Sequence, residues 1–134
     1  MKTILTVENI EKYYGNRSNI TKAVDNISFS VDEGEFIGVM GPSGSGKTTL
    51  LNCISTIDNV TSGHIYINGK DITKLKKNDL SSFRRKELGF IFQDFNLLDT
   101  FSLRDNIFLP LVLSHKGHAE MAARLAPIAR QLGI

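Results

Sequence analysis

The chain has 134 residues, 41% apolar and 22% charged, a net charge of +2 and one cysteine. That length holds one domain or part of one, and the charge is too small to point to nucleic acid. A lone Cys53 excludes an internal disulfide, and no apolar run approaches the ~20 residues of a membrane span.

Taken in order, the first stretch, residues 3–13, predicts a strand. Leu5 and Val7 are apolar at period two, with Ile4 and Ile10 off the pattern. Glu8 and Glu11 come too early for a signal-peptide core. Tyr13-Tyr14-Gly15-Asn16-Arg17-Ser18-Asn19 reads as a loop. Ile27, Phe29 and Val31 alternate with serines and predict a second, half-buried strand. Phe36-Ile37-Gly38-Val39-Met40 is a short apolar run that reads as a strand covered on both faces.

Gly41-Pro42-Ser43-Gly44-Ser45-Gly46-Lys47-Thr48-Thr49 follows at once, and it fits the phosphate-binding template G-x-x-x-x-G-K-[ST]. Behind it Leu50, Leu51, Ile54 and Ile57 recur at helical spacing. The order strand, glycine loop, helix is what polyphosphate chemistry asks for. Glycines let the backbone curl and turn N–H groups inward, and the helix mouth adds unpaired amides and a positive dipole end. Lys47 then supplies a charge at the β- and γ-phosphates, the Thr48 hydroxyl a ligand for Mg²⁺, and Thr49 a contact near the α-phosphate.

Further on, His64-Ile65-Tyr66-Ile67 alternates as a strand, Asn68-Gly69 signals a hairpin, and Lys70-Asp71-Ile72 is its short return. Residues 75–88 predict a basic helix with Asn78 or Asp79 near its start; Lys76, Lys77, Arg84, Arg85 and Lys86 read as its solvated face. Leu88-Gly89-Phe90-Ile91-Phe92 reads as a buried strand with Gln93 at its carboxyl end, on the rim that carries the phosphate loop in an open parallel sheet. Ser102 opens a capping box for a helix towards Leu113 that contains Pro110. A last helix over about 118–132 contains Pro127 and ends at Gly133.

Four runs together resemble a family. They are Lys12-Tyr13-Tyr14-Gly15 ahead of Asp25-Asn26-Ile27-Ser28-Phe29; Gly34-Glu35-Phe36 leading into the phosphate loop; Ser62-Gly63-His64-Ile65 with Asn68-Gly69-Lys70-Asp71; and Arg84-Arg85 followed by Leu88-Gly89-Phe90-Ile91-Phe92-Gln93-Asp94-Phe95-Asn96-Leu97-Leu98. The chain resembles the ATP-binding subunits of ABC transporters, nearest the bacitracin, macrolide and lipoprotein exporters. The resemblance implies an α/β fold, a P-loop NTPase core with an antiparallel β subdomain. It implies a nucleotide-binding core with that subdomain over 1–94 and the start of a helical subdomain over 95–134. ATP and Mg²⁺ are the implied cofactors. Tyr14 matches the aromatic that stacks on adenine, with Tyr13 the alternative if the register slips by one. Gln93 matches the glutamine that binds Mg²⁺ or the attacking water, so Lys47 and Gln93 are the catalytic candidates.

The same resemblance implies a permease subunit and a second nucleotide-binding domain as partners, no nucleic acid, and a cytoplasmic place on the inner face of the membrane. Three features of the family have no match here: the LSGGQ signature, an apolar strand ending in Asp-Glu, and the switch histidine, for which His64, His115 and His118 fall in the wrong places. The expectation is an N-terminal part of such a subunit, exposing apolar sheet surface and an unpaired edge. A nucleotide-binding piece without turnover, a soluble ABC protein and a small kinase are the alternatives.

Overall fold

In the computed structural model, which describes residues 1–134, β1 spans Thr3–Asn16 and β2 spans Asn19–Asp32. The loop expected over 13–19 is thereby corrected. The strands run through it and turn on Arg17-Ser18 alone, with Asn16 opposite Asn19. Tyr13, Tyr14, Ile20 and Thr21 are aromatic or β-branched, residue types that suit a pleated surface. Gly15, at φ 116°, lets the strands close: a Cβ there would meet the Asn19 carbonyl oxygen at 1.9 Å.

The off-pattern Ile10 also has a cause. Asn9 sits at φ 46° in a break of register between Val7 and Ile10. Its amide donates to Ser28 Oγ at 2.8 Å, and its side chain donates to Asn26 Oδ1 at 2.9 Å. The bulge shifts the strand's parity by one. Val7 and Ile10, 1% and 0% exposed, therefore both face the core.

The sheet has the order β2-β1-β3-β4, with every pair antiparallel. Here β3 is Ser62–Ile67 and β4 is Lys70–Asp71. The expected hairpin joins them, with Asn68 at φ 49° and Gly69 at φ 76°. A single 3-10 turn, Ile72–Lys74, follows. Helix α1, Lys47–Ile54, lays Leu50 and Cys53 into the core with Val7, Ile10, Val24, Ile65 and Ile67.

Helix α2, Lys77–Glu87, adds Phe83 to that core. It is capped at Lys76, so Asn78 and Asp79 fall in its first turn, near its start as expected. Its basic face is solvated at Lys77, Arg85 and Lys86. Arg84 departs from that expectation: its guanidinium donates to the Thr56 carbonyl at 2.8 Å.

Two expected strands are absent. Residues 36–40 and 88–92 carry no strand, and Phe36, Met40 and Ile91 are 99%, 92% and 98% exposed. An extended apolar run becomes a strand only when a neighbour takes up its N–H and C=O groups. None of the four paired strands borders either run.

The chain divides into two units, Met1–Leu88 and Gly89–Ile134. The second holds α3, Leu103–Leu113, and α4, His118–Leu132. Ser102 Oγ caps α3 by accepting the Asp105 amide at 3.1 Å. Pro110 and Pro127 lie within the two helices, and Gly133 ends α4 at φ 73°. No helix is long and apolar enough to cross a membrane.

Candidate functional site

The glycine loop wraps the lysine that follows it. Lys47 Nζ donates to the carbonyls of Gly41 at 2.7 Å and Pro42 at 2.8 Å, and to Ser45 Oγ at 3.3 Å. The ammonium is thus held at the centre of the loop, at the mouth of α1. The Ser45 amide closes a turn on the Pro42 carbonyl at 3.1 Å. The amides of Gly44, Gly46, Lys47 and Thr48 find no acceptor in the chain. Neither does the exposed Thr48 hydroxyl donate to any side chain or carbonyl. A row of free N–H groups beside an ammonium is an anion cradle, so the residues present fit a polyphosphate.

Gly46 is the pivot. It caps α1 in the left-handed region, at φ 96°, and a Cβ on it would stand 2.1 Å from the Ala23 carbonyl oxygen of β2. The loop can therefore press against β2 only through a glycine. Between loop and strand lies a cleft of about 460 Å³, lined by Lys22, Val24, Met40, Ser45 and Lys47 among others. Lys22 binds Asp25 Oδ1 at 2.6 Å, and that bond is the main reason its pKa rises.

The two tyrosines point opposite ways, as neighbours on a strand must. Tyr13 lies over Lys22, whose ammonium is 5.2 Å from its ring centre, and its hydroxyl donates to Glu11. The Tyr14 hydroxyl instead donates to Asp58 Oδ2 at 2.5 Å, just past α1. Hydrogen bonding to that carboxylate raises the Tyr14 pKa, while the Thr49 hydroxyl at the end of the loop lowers it slightly. Tyr14 is 43% exposed, so part of its ring is open to a ligand.

Tyr14, Gly41, Pro42, Ser43, Gly44, Ser45, Gly46, Lys47, Thr48 and Thr49 all belong to the first unit. Gln93 belongs to the second, where it occupies an exposed bend in irregular chain. The structure also brings in residues that the sequence did not flag, Lys12 and Asp58. They meet at 2.8 Å although forty-six positions separate them. No local pattern joins them; Lys12's place two residues before Tyr14 was the one available clue.

A protein-family model described as "ABC transporter" matches residues 24–134. The chain belongs to that family. The ABC transporter ATP-binding protein YxdL of Bacillus subtilis is 54% identical over 100% of the chain and 52% of its own length. The bacitracin export ATP-binding protein BceA of Halalkalibacterium halodurans is 45% identical over 98% of the chain and 52% of its own length. Among solved structures, a dimeric, post-hydrolysis ATP-binding cassette bound to ADP and Pi superposes with a TM-score of 0.84 at 36% identity, over 90% of this chain and 53% of that one. The chain thus spans about half the length of the relatives it matches, and the P-loop core with its antiparallel β subdomain is the ABC fold expected.

Proposed function

We propose that this chain is the nucleotide-binding part of an ABC exporter ATPase that takes ATP with Mg²⁺. One observation carries the reading: the amides of Gly44, Gly46, Lys47 and Thr48 have no acceptor in the chain, in a loop whose carbonyls already hold the Lys47 ammonium. Phosphate oxygens would accept from those amides, and Lys47 would turn from carbonyl oxygens to the β- and γ-phosphates. Tyr14 offers a half-open π-face to adenine, and such stacking needs none of the purine's hydrogen-bonding edges. The Thr48 hydroxyl is a hard oxygen donor suited to Mg²⁺, and the Gln93 carboxamide of the second unit is a donor of the same kind. When bound, the ion neutralises charge on the transferring phosphoryl group. The names of the relatives support a transporter subunit, and the dimeric solved cassette supports a second nucleotide-binding domain as partner; a permease is the further partner in this reading. Bacitracin export by a relative makes peptide antibiotics the first substrate class to try. A place on the inner membrane surface, through the permease, follows from the same reading.

Equilibrium dialysis of Mg·ATP against wild type and Lys47→Ala tests it. Charge-assisted hydrogen bonds of this kind contribute ~1.5–3 kcal/mol, so the variant should bind at least about tenfold more weakly. Absence of ATP affinity in wild type, or equal affinity in the variant, would overturn the proposal. A second reading is binding without turnover by residues 1–134. Phosphate release above the Lys47→Ala background would remove that reading and leave the first.

A further inference from the structure

Beside the loop, Asp58 gathers three groups. Its Oδ2 accepts the Tyr14 hydroxyl at 2.5 Å. Its Oδ1 accepts Lys12 Nζ at 2.8 Å and the Asn59 amide at 2.8 Å. Lys12 Nζ donates onward to the Asn59 carbonyl at 2.6 Å and lies 5.0 Å from the centre of the Tyr14 ring. The side chains of Lys12 and Asp58 are only 13% and 30% exposed, so the pair is shielded from water more than a surface bridge is. The turn that carries Asp58 is itself pinned. Thr56 stands at φ 62°, and its carbonyl accepts from Arg84 at 2.8 Å.

We propose that Asp58 is a positioning residue for nucleotide selection: it fixes the Tyr14 ring by its hydroxyl so that the ring is already placed for a purine. Lys12 locks the carboxylate and shields part of the ring. This rests on the reading of Tyr14 as the adenine platform. A phenyl ring at a strand end, without such an anchor, turns among rotamers and must be ordered each time a base binds. An anchored ring has that ordering done in advance. The consequence is specific to the base. Groups that hold phosphate lie in the loop, so the anchor should tune ATP affinity and leave inorganic triphosphate alone.

The test compares the dissociation constants of Mg·ATP and magnesium tripolyphosphate on the purified protein, for wild type, Tyr14→Ala, Tyr14→Phe, Asp58→Ala, Asp58→Asn and the Tyr14→Phe/Asp58→Ala pair. Tyr14→Ala removes the platform and should weaken ATP about fivefold or more. Tyr14→Phe and Asp58→Ala each should weaken ATP about two- to tenfold, with tripolyphosphate unchanged. The double variant should be no worse than Asp58→Ala, because both remove one bond. Asp58→Asn, which keeps shape and an acceptor, should recover part of the loss. Tyr14→Phe deletes one oxygen at a part-exposed site, so it keeps the test open should Asp58→Ala fold poorly. If Tyr14→Ala leaves the ratio of the two affinities unchanged, the platform reading falls and the anchor with it. If Tyr14→Ala lowers ATP affinity while Tyr14→Phe and Asp58→Ala match wild type, the anchor alone is refuted. Equal losses for ATP and tripolyphosphate would also refute it, since they report a general structural defect.

Discussion

Gly46→Ala should damage both folding and nucleotide binding, and the two costs can be separated. The first is conformational. Gly46 sits at φ 96°, where an L-residue with a Cβ costs about 1–2 kcal/mol. The second is steric. The new methyl would meet the Ala23 carbonyl oxygen at 2.1 Å and its carbon at 3.3 Å, both backbone atoms of β2. Backbone in a paired strand cannot swing aside as a side-chain tip does, so the loop must lift off β2 or α1 must start elsewhere. Gly44→Ala is the matched control. Gly44 stands at φ 79° with nothing within 4 Å of an added methyl, so it bears the conformational cost alone. Overpacking adds about 1–3 kcal/mol, giving a total near 2–5 kcal/mol for Gly46→Ala against about 1–2 for Gly44→Ala. Urea unfolding followed by far-UV circular dichroism reads the difference. With a denaturant slope of about 1–3 kcal/mol/M, the midpoint of Gly46→Ala should fall roughly 0.3–3 M below that of Gly44→Ala. Mg·ATP dialysis on the same samples should show the larger loss for Gly46→Ala. Equal midpoints and equal affinities for the two variants would refute the close approach of loop and strand.

Asp58 gives a pH dependence. Partial burial pushes its pKa up, but hydrogen bonds from Lys12, Tyr14 and the Asn59 amide outweigh that and hold it below the usual carboxylate value. A depressed folded pKa means stability that is present above the unfolded value of about 3.9 and lost as pH falls through the folded one. Urea midpoints taken between about pH 6 and pH 3 should therefore drop less in Lys12→Met than in wild type; an equal drop would dissociate the pair from acid stability. Ser102→Ala removes the acceptor of the Asp105 amide and should cost about 1 kcal/mol, read as lost helical ellipticity on urea titration. Phe36 and Met40 are 99% and 92% exposed on an unpaired run. Such apolar surface invites association, so Phe36→Ser/Met40→Ser should shift sedimentation velocity towards monomer, and an unchanged distribution would show that the run takes no part.

Much of the site was legible because it depends on local chemistry. A glycine run ending in Lys47-Thr48 has to make a loop at a helix mouth, and Asn68-Gly69 has to make a tight hairpin, whatever surrounds them. The cap at Ser102 and the stop at Gly133 were readable for the same reason. The extent of β1 and β2 was not. Tyr13 to Asn19 contains Gly, Asn and Ser in loop-like density, and cross-strand pairing overrode that composition. Residues 36–40 and 88–92 failed in the opposite direction. Their composition suits strands, but a strand is a property of two partners, and composition reports one.

From the amino-acid order alone came the phosphate loop, the lysine within it and the family likeness, since each lies in residues adjacent along the chain. Which tyrosine faces α1 was decided in three dimensions. Unbroken alternation from Val7 would have put residues 9, 11 and 13 on its face. The bulge at Asn9 moves the parity by one, buries Ile10 and sends Lys12 and Tyr14 towards Asp58. That bulge is held by Ser28 and Asn26 on the neighbouring strand. Its left-handed backbone is stabilised by partners some twenty residues away, and periodicity along a single strand has no access to them.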